Sequence, residues 1–424
     1  MKKFVKKILP RLPVSIQRYL TLCYEKWYSF KSWQAIKKED VNTNLKLSTV
    51  NKKPRILFYH PSGLSFGGTE KFLQILAKHI NKDDYEIFFM YSPKPRKATG
   101  LEIQLDGRKQ YLEGQNIKLI PFDYSSMDPA YPYTIHNASP SIFDIINKEN
   151  IDLIISTGSG YTEFPLNLIK KIPIIMLNIF GSFNVQKNFV YNCCISNAVA
   201  NKIRPIVPEN KISVMYIPSE GPGPDSPDAG LKLRKSLGIQ KEDMVFGRIG
   251  RGSDDIYDEI GIRAFQKLGR EVGNVHYIIM SPMPVIKKVV TDENIPNVHF
   301  LPTSAKEEDV WAFHQSIDCL AHFRKDGESC GLNIAESMLC AKPIITHRSH
   351  IWNAHLEYLD QSFSRVAEQG NIDQYYSFMK EFTDLKNNNK LIEFGERAKE
   401  KAEKIFLIKN SIKDFELLIK NALK

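Results

Sequence analysis

Two carboxylates, Glu328 and Glu336, stand eight positions apart in the run Glu328-Ser-Cys-Gly-Leu-Asn-Ile-Ala-Glu336. Between them, Gly331 precedes a stretch that reads as helix, and Pro343 to Thr346 then reads as a buried strand. A helix that begins beside a glycine presents free backbone N–H groups and the positive end of its dipole, which is the chemistry that holds a phosphate. Glu336 falls about a turn and a half into that helix, within reach of a ribose at its mouth. Glu328, on the loop before the helix, would face the other end of the same ligand. Diphosphate on the helix end, ribose on one carboxylate and hexose on the other describe a nucleotide sugar. The uneventful alternative is an exposed loop acid and a helix-surface acid.

Two further runs carry suitable residues. In Gly247-Arg248-Ile249-Gly250-Arg251, Arg248 ends an apolar strand and Arg251 follows in the loop. The carboxyl edge of a parallel sheet faces the ligand crevice, where a guanidinium can grip a diphosphate bidentately. No lysine stands in the next stretch, Ser253 to Asp258. Arg251, Arg324 and Lys325 are other cations that could reach a diphosphate at that edge. In Gly67-Gly68-Thr69-Glu70, the glycines open a helix and let a ligand approach backbone N–H groups; a plain turn with Thr69 as N-cap is the alternative. His60, ending the strand before this loop, reads as packing.

Taken in order over roughly residues 54 to 405, these runs resemble the signature of retaining GT-B enzymes of glycosyltransferase family 4. In that family Glu-x7-Glu precedes a Gly-x-Pro strand start, which here reads Ala341-Lys342-Pro343. The resemblance implies an α/β chain of GT-B type, with two Rossmann-like doubly wound domains facing a cleft. It implies catalytic roles for Glu328 and Arg248, with Glu328 on the donor sugar ring and Arg248 on the diphosphate. Donor binding falls to Glu336 on the ribose, to the backbone at Gly331, Leu332 and Asn333, and to Arg251 and Lys325. Gly67, Gly68 and Glu70 would form the diphosphate or acceptor loop. Retention is expected with neither cofactor nor metal, a leaving phosphate oxygen taking the acceptor proton, and the chain holds no Asp-x-Asp motif. Members of the family often carry a histidine near the reacting centre, whereas Ile155 to Thr162 has none.

Composition sets the wider bounds. At 424 residues, with 42% apolar and 25% charged residues, a soluble two-domain protein is expected. The net charge is +10, of which +7 falls in residues 1–40, so the body is not a basic nucleic-acid binder. None of the six cysteines forms a Cys-x-x-Cys pair, Cys193 and Cys194 are neighbours on one expected strand, and a reduced, cytoplasmic setting follows. No apolar run is long enough to span a bilayer, and Lys6-Lys7, Pro10 and Pro13 interrupt any signal-peptide core.

The elements that must position these residues alternate between apolar strands and amphipathic helices, the α/β pattern. Residues 1–50 read as a basic extension with an amphipathic helix over 15–35, suited to an anionic membrane surface or to packing on the body. Residues 51–217 form the expected acceptor-side domain. Residues 218–230, with four prolines and three glycines, read as a linker that is neither helix nor central strand. Residues 231–405 form the nucleotide-sugar domain, and 406–424 a helix expected to cross back to the N-terminal domain. The implied activity is transfer of a sugar from a nucleotide donor to a growing, lipid-linked surface glycan at the cytoplasmic membrane face. The partners are the donor, the glycan acceptor and anionic membrane, with no nucleic acid. Two alternatives stand beside it: a degenerate nucleotide-sugar-binding protein without turnover, and another GT-B activity such as epimerisation of nucleotide sugars.

Overall fold

The computed structural model describes residues 53–60, 63–64, 67–91, 105–121, 142–161, 165–184, 186–304 and 306–424, with positions 13, 16, 20 and 23. Of the amphipathic helix expected over 15–35, positions 16, 20 and 23 are described and helical, and the rest lies outside these residues; so does Ser139-Pro140, which reads in the sequence as a helix start with Ser139 as N-cap. The chain divides into two compact units, residues 1–217 with 411–424, and residues 218–410.

The first unit is built on a seven-stranded sheet in the order β3-β2-β1-β4-β5-β6-β7. Its strands are β1 (Arg55–Tyr59), β2 (Glu86–Tyr91), β3 (Ile117–Pro121), β4 (Leu153–Gly158), β5 (Ile174–Asn178), β6 (Phe189–Cys194) and β7 (Ile212–Val214). Every pairing is parallel. Parallel strands are covered on both faces, which is why they read as unbroken apolar runs such as Ile-Leu-Phe-Tyr and Leu-Ile-Ile. The helices are α1 (Gly68–His79), α2 (Leu105–Leu112), α3 (Ile142–Glu149) and α4 (Asn197–Ile203). Leu57, Phe88, Ile145, Ile154 and Met176 share one core cluster. Ser196 caps α4 by accepting from Val199 N. Cys193 and Cys194 are both buried on β6, and burial pushes each thiol up to about 12. From Ser411 onward the last helix belongs to this unit, where Asn81 N donates to Glu416 Oε1 at 2.8 Å.

The second unit carries a six-stranded parallel sheet, β10-β9-β8-β11-β13-β15, and a two-stranded ladder, β12-β14. In chain order its elements are α5 (Ser226–Ser236), β8 (Met244–Ile249), α6 (Ile260–Gly269), β9 (Val275–Met280), α7 (Pro284–Asp292), β10 (Val298–Leu301), α8 (Glu307–Ser316), β11 (Cys319–Ala321) and β12 (Gly327–Glu328). There follow α9 (Leu332–Leu339), β13 (Ile344–His347), β14 (Trp352–Asn353), β15 (Ser364–Ala367), α10 (Ile372–Asn387) and α11 (Leu391–Phe406); the last helix, α12 (Ile408–Ala422), begins in this unit and from Ser411 onward belongs to the first. Each sheet is thus a Rossmann-like doubly wound α/β layer.

The stretch 218–230 differs from its reading as an irregular linker. Ser219 N donates to Phe406 O and Ile408 N to Ser219 O, a short parallel bridge. Helix α5 then begins inside the stretch at Ser226. Pro227 sits in the first turn, where the helix needs no N–H. Gly230 serves a close approach: a Cβ there would lie 2.5 Å from Gln315 Cβ on α8. The residues that read as breakers are instead a helix start and a helix–helix contact. Helix α7 likewise opens on a proline, Pro284.

Candidate functional site

Strand β8 carries Arg248 to the carboxyl edge of the second sheet. Its side chain is 2% exposed, and its guanidinium lies 5.2 Å from the ring centre of Phe323. Among the described residues neither Nε nor Nη1 finds a hydrogen-bond partner. Burial lowers its pKa to about 10, with Glu328 opposing, so it remains a cation at neutral pH. A buried cation with open N–H groups is costly unless an anion completes it. Gly250 lies against it: a Cβ there would stand 3.5 Å from Arg248 Nη2 and 3.8 Å from Asn333 Nδ2.

Asn333 ties this strand end to the start of α9. Its Nδ2 donates to Ile249 O at 2.9 Å, and its Oδ1 accepts from Ile334 N at 3.0 Å. Gly331 caps the helix with φ +86, a left-handed conformation that favours glycine. A side chain there would also meet Tyr358 Oη, 2.7 Å from the Cβ position. Tyr358 Oη donates to Cys330 O at 2.6 Å, holding the turn from beneath. The helix geometry leaves the N–H groups at Leu332 and Asn333 open at its positive end. Arg248, Gly331, Leu332 and Asn333 therefore gather at one point, which has the chemistry of an anion site.

Glu328 sits on β12 just before that helix, its side chain 13% exposed. His322 Nε2 lies 3.1 Å from its Oε1, and Arg324 Nη1 3.8 Å away. Burial alone would raise the carboxyl, but His322 and Arg324 outweigh it and bring it down to about 2. With the folded pKa depressed, Glu328 stabilises the fold above its ordinary 4.5 and loses that contribution as pH falls toward 2. The whole fall corresponds to about 3 kcal/mol at most. The stability gap between wild type and Glu328→Gln should therefore narrow as pH falls through this window, as read by urea denaturation. A gap that stays constant below pH 4.5 would count against an ionised, held Glu328.

Glu336 is not the helix-surface acid its spacing allows. It is 5% exposed in the second turn of α9, with Oε2 3.5 Å from His314 Nε2 on α8. Two of the expected cations are exposed side chains. Arg251 is an exposed side chain paired with Asp255 at 3.1 Å, an arrangement worth little. Lys325 is exposed, and among the described residues only its backbone is engaged, donating to Ile256 O and accepting from Ser349 Oγ. Arg324 is committed to Asp326 by two bonds of 2.5 and 2.9 Å.

In the first unit, Gly67 rather than Thr69 is the N-cap of α1. Glu70 folds back over Gly67, its Oε2 2.5 Å from where a Cβ would stand, and its Oε1 lies 4.0 Å from His60 Nδ1. His60, read as packing, thus pairs with an expected site residue at the helix mouth. Within Ile155 to Tyr161, Thr157 Oγ1 donates to Leu177 O. The histidines that sequence reasoning missed are His314 and His322. Their partners lie on other elements, so no spacing announces them.

A helix N-terminus beside a buried arginine, on one of two Rossmann-like sheets, belongs to an α/β fold of GT-B type. Residues 231–403 match the model of the family described as glycosyl transferases group 1. The fold is similar to that of a glycosyltransferase from Rickettsia africae, at 13% identity over 88% of this chain and all of that one, TM-score 0.65. Anabaena HepE, solved with UDP and glucose, is similar at 18% identity over 87% of this chain and all of that one, TM-score 0.64. WaaG, a glycosyltransferase involved in lipopolysaccharide biosynthesis, is similar at 14% identity over 86% of this chain and 99% of that one, TM-score 0.58. At such identities the solved structures speak for the fold. No curated protein matches the chain in sequence. Together the family match and the fold support a glycosyltransferase, an enzyme of the 2.4 transferase class. Among the described residues no helix is long and apolar enough to cross a membrane.

Proposed function

We propose that the chain is a retaining glycosyltransferase of family 4 that moves a sugar from a nucleotide donor to a growing lipid-linked glycan. The observation that carries this reading is Arg248, a buried guanidinium with two open nitrogens beside the N-terminus of α9. An anion bonded to Arg248 and to the Leu332 and Asn333 amides satisfies all of them at once. In the reaction, the bond from the sugar's anomeric carbon to the diphosphate breaks, and the acceptor oxygen bonds that carbon on the same face. The acceptor proton passes to the departing phosphate oxygen. Arg248 and the helix dipole stabilise the charge that develops there, the largest electrostatic contribution to such a step. Glu328 holds the donor sugar, and Glu336 serves the ribose. Gly67, Gly68 and Glu70 in the first unit serve the acceptor or diphosphate. HepE, solved with UDP and glucose, and WaaG, in lipopolysaccharide biosynthesis, support this direction. The charge of residues 1–40 supports work at an anionic membrane face from the cytoplasm.

One feature favours a second reading, binding without turnover. The second cation expected near Arg248 is absent from Ser253 to Asp258, and Arg324 is held by Asp326.

The test is thermal stability with UDP, GDP, ADP, CMP and dTDP, in wild type and in Glu336→Ala. A nucleotide at 100 times its Kd adds about 2.7 kcal/mol, roughly several degrees. One nucleotide is expected to stabilise wild type and not the variant. No shift with any of the five would sink the donor-site reading.

A further inference from the structure

Behind Glu328 stands a buried histidine that the reading above does not use. His322 follows β11, is 3% exposed, and has every polar atom engaged. Its N donates to Ile345 O at 2.8 Å, and its O accepts from Tyr375 Oη at 2.9 Å. Its Nδ1 lies 3.0 Å from Thr346 Oγ1 on β13, and its Nε2 3.1 Å from Glu328 Oε1. Thr346 is itself fully buried. The backbone is pinned and the ring is held at both ends, so it cannot turn without breaking a bond.

The two oxygens of Glu328 are treated differently. Oε1 takes the His322 contact and faces Arg324 at 3.8 Å, whose fork is occupied by Asp326. His322 is the hydrogen bond that this carboxylate makes among the described residues, and it leaves Oε2 open. A carboxylate held by one oxygen and presented by the other is the arrangement that fixes the direction of a hydroxyl contact.

We infer that His322, backed by Thr346, is a positioning residue that holds Glu328 Oε1 and so presents Oε2 to a hydroxyl of the donor sugar. The inference rests on the donor-site reading. It separates the sugar from the nucleotide: losing His322 costs affinity for the sugar and leaves the diphosphate contacts of Arg248 and α9 alone.

The first experiment compares affinities for UDP, GDP, ADP and dTDP with those for their glucose-bearing nucleotide sugars. It uses wild type, His322→Phe and His322→Gln. Glutamine keeps an N–H donor near the Nε2 position, whereas phenylalanine keeps only the bulk. His322→Phe is expected to cut the affinity gained from the sugar about tenfold, the worth of one hydrogen bond to a charged group. Free nucleoside diphosphate affinity should not change, and His322→Gln should retain most of the gain. Equal losses in both variants, or no loss in phenylalanine, would overturn the assignment. The second experiment needs no nucleotide. In ¹⁵N-histidine-labelled wild type, the ring signal absent from His322→Gln should show a protonated Nε2; a bare Nε2 would overturn the assignment. If wild type binds none of these nucleotides, or gains nothing from the sugar, the donor reading is at fault and the ring signal alone decides on His322.

Discussion

Replacing Arg248 with methionine is expected to abolish the stabilisation that a nucleoside diphosphate confers, while leaving the ligand-free protein at least as stable as wild type. The two effects have opposite signs because the guanidinium is costly at rest and useful only when an anion arrives. In the resting protein its Nε and Nη1 are buried without partners. Each open buried donor costs about 1–3 kcal/mol. Against this stands its contact with the Phe323 ring, worth about 0.5–2 kcal/mol. Methionine fills a similar volume without the charge, so the expected change at rest is neutral to a gain of about 1–3 kcal/mol. Turnover should fall by about 10²–10³, as when a single donor to a developing oxyanion is removed. Thermal denaturation with and without nucleotide, together with transfer assays, measures all three. A large loss of ligand-free stability would mean that Arg248 is structural, and the anion-site reading would fall with it.

Gly327→Ala should be among the most damaging substitutions in the second unit. Gly327 has φ +68, which costs an L-residue roughly 1–2 kcal/mol. The added Cβ would also lie 1.9 Å from Trp352 O and 2.7 Å from Ser349 Cβ. Both neighbours are held. Trp352 N is bonded to Asp326 O, and Ser349 Oγ donates to Lys325 O. The clash therefore opens the β12–β14 ladder, whose register rests on the pairs Gly327–Trp352 and Glu328–Asn353. A loss of about 3 kcal/mol or more is expected, the upper range for a single substitution. Because Glu328 is the next residue, any protein that still folds should also lose affinity for nucleotide sugars. Gly273→Ala is the control, since nothing lies within 4 Å of its Cβ position. Its stability should stay within about 0.5 kcal/mol of wild type. Urea denaturation of both variants decides the point. Equal stabilities would mean that the loop around Glu328 yields and does not hold the carboxylate rigidly.

Much of the second sheet was readable from local pattern. The strands Met244–Ile249, Val275–Met280, Val298–Leu301 and Ile344–His347 fall where their apolar runs lie. Burial on both faces of a parallel sheet leaves a mark that needs no knowledge of the partner strand. The start of α9 was readable too, since Gly331 occupies a backbone conformation that other residues avoid. Local pattern misled where a residue type serves tertiary packing. Pro227 and Gly230 read as breakers, yet one starts α5 and the other lets it approach α8. Ala341 shows the converse. It takes φ +55 where the resembled family has glycine, a strain that its side chain does not announce.

The two doubly wound sheets, the order of their strands along the chain, and the candidate group of Arg248, Gly331 and Glu328 were legible before any folding. These follow from periodicity, conformational preference and charge, all local to a few residues. Which of those groups are open and which are occupied is settled by the folded arrangement. Among the described residues Arg248 keeps two nitrogens without a hydrogen bond, Arg324 is taken by Asp326, Glu336 lies buried 3.5 Å from His314, and Glu328 rests on His322. His314 meets Glu336 across 22 positions, and Thr346 meets His322 across 24. The reason is physical: a hydrogen-bond partner is chosen by distance and direction in the folded chain, and neither quantity exists until the sheets have assembled.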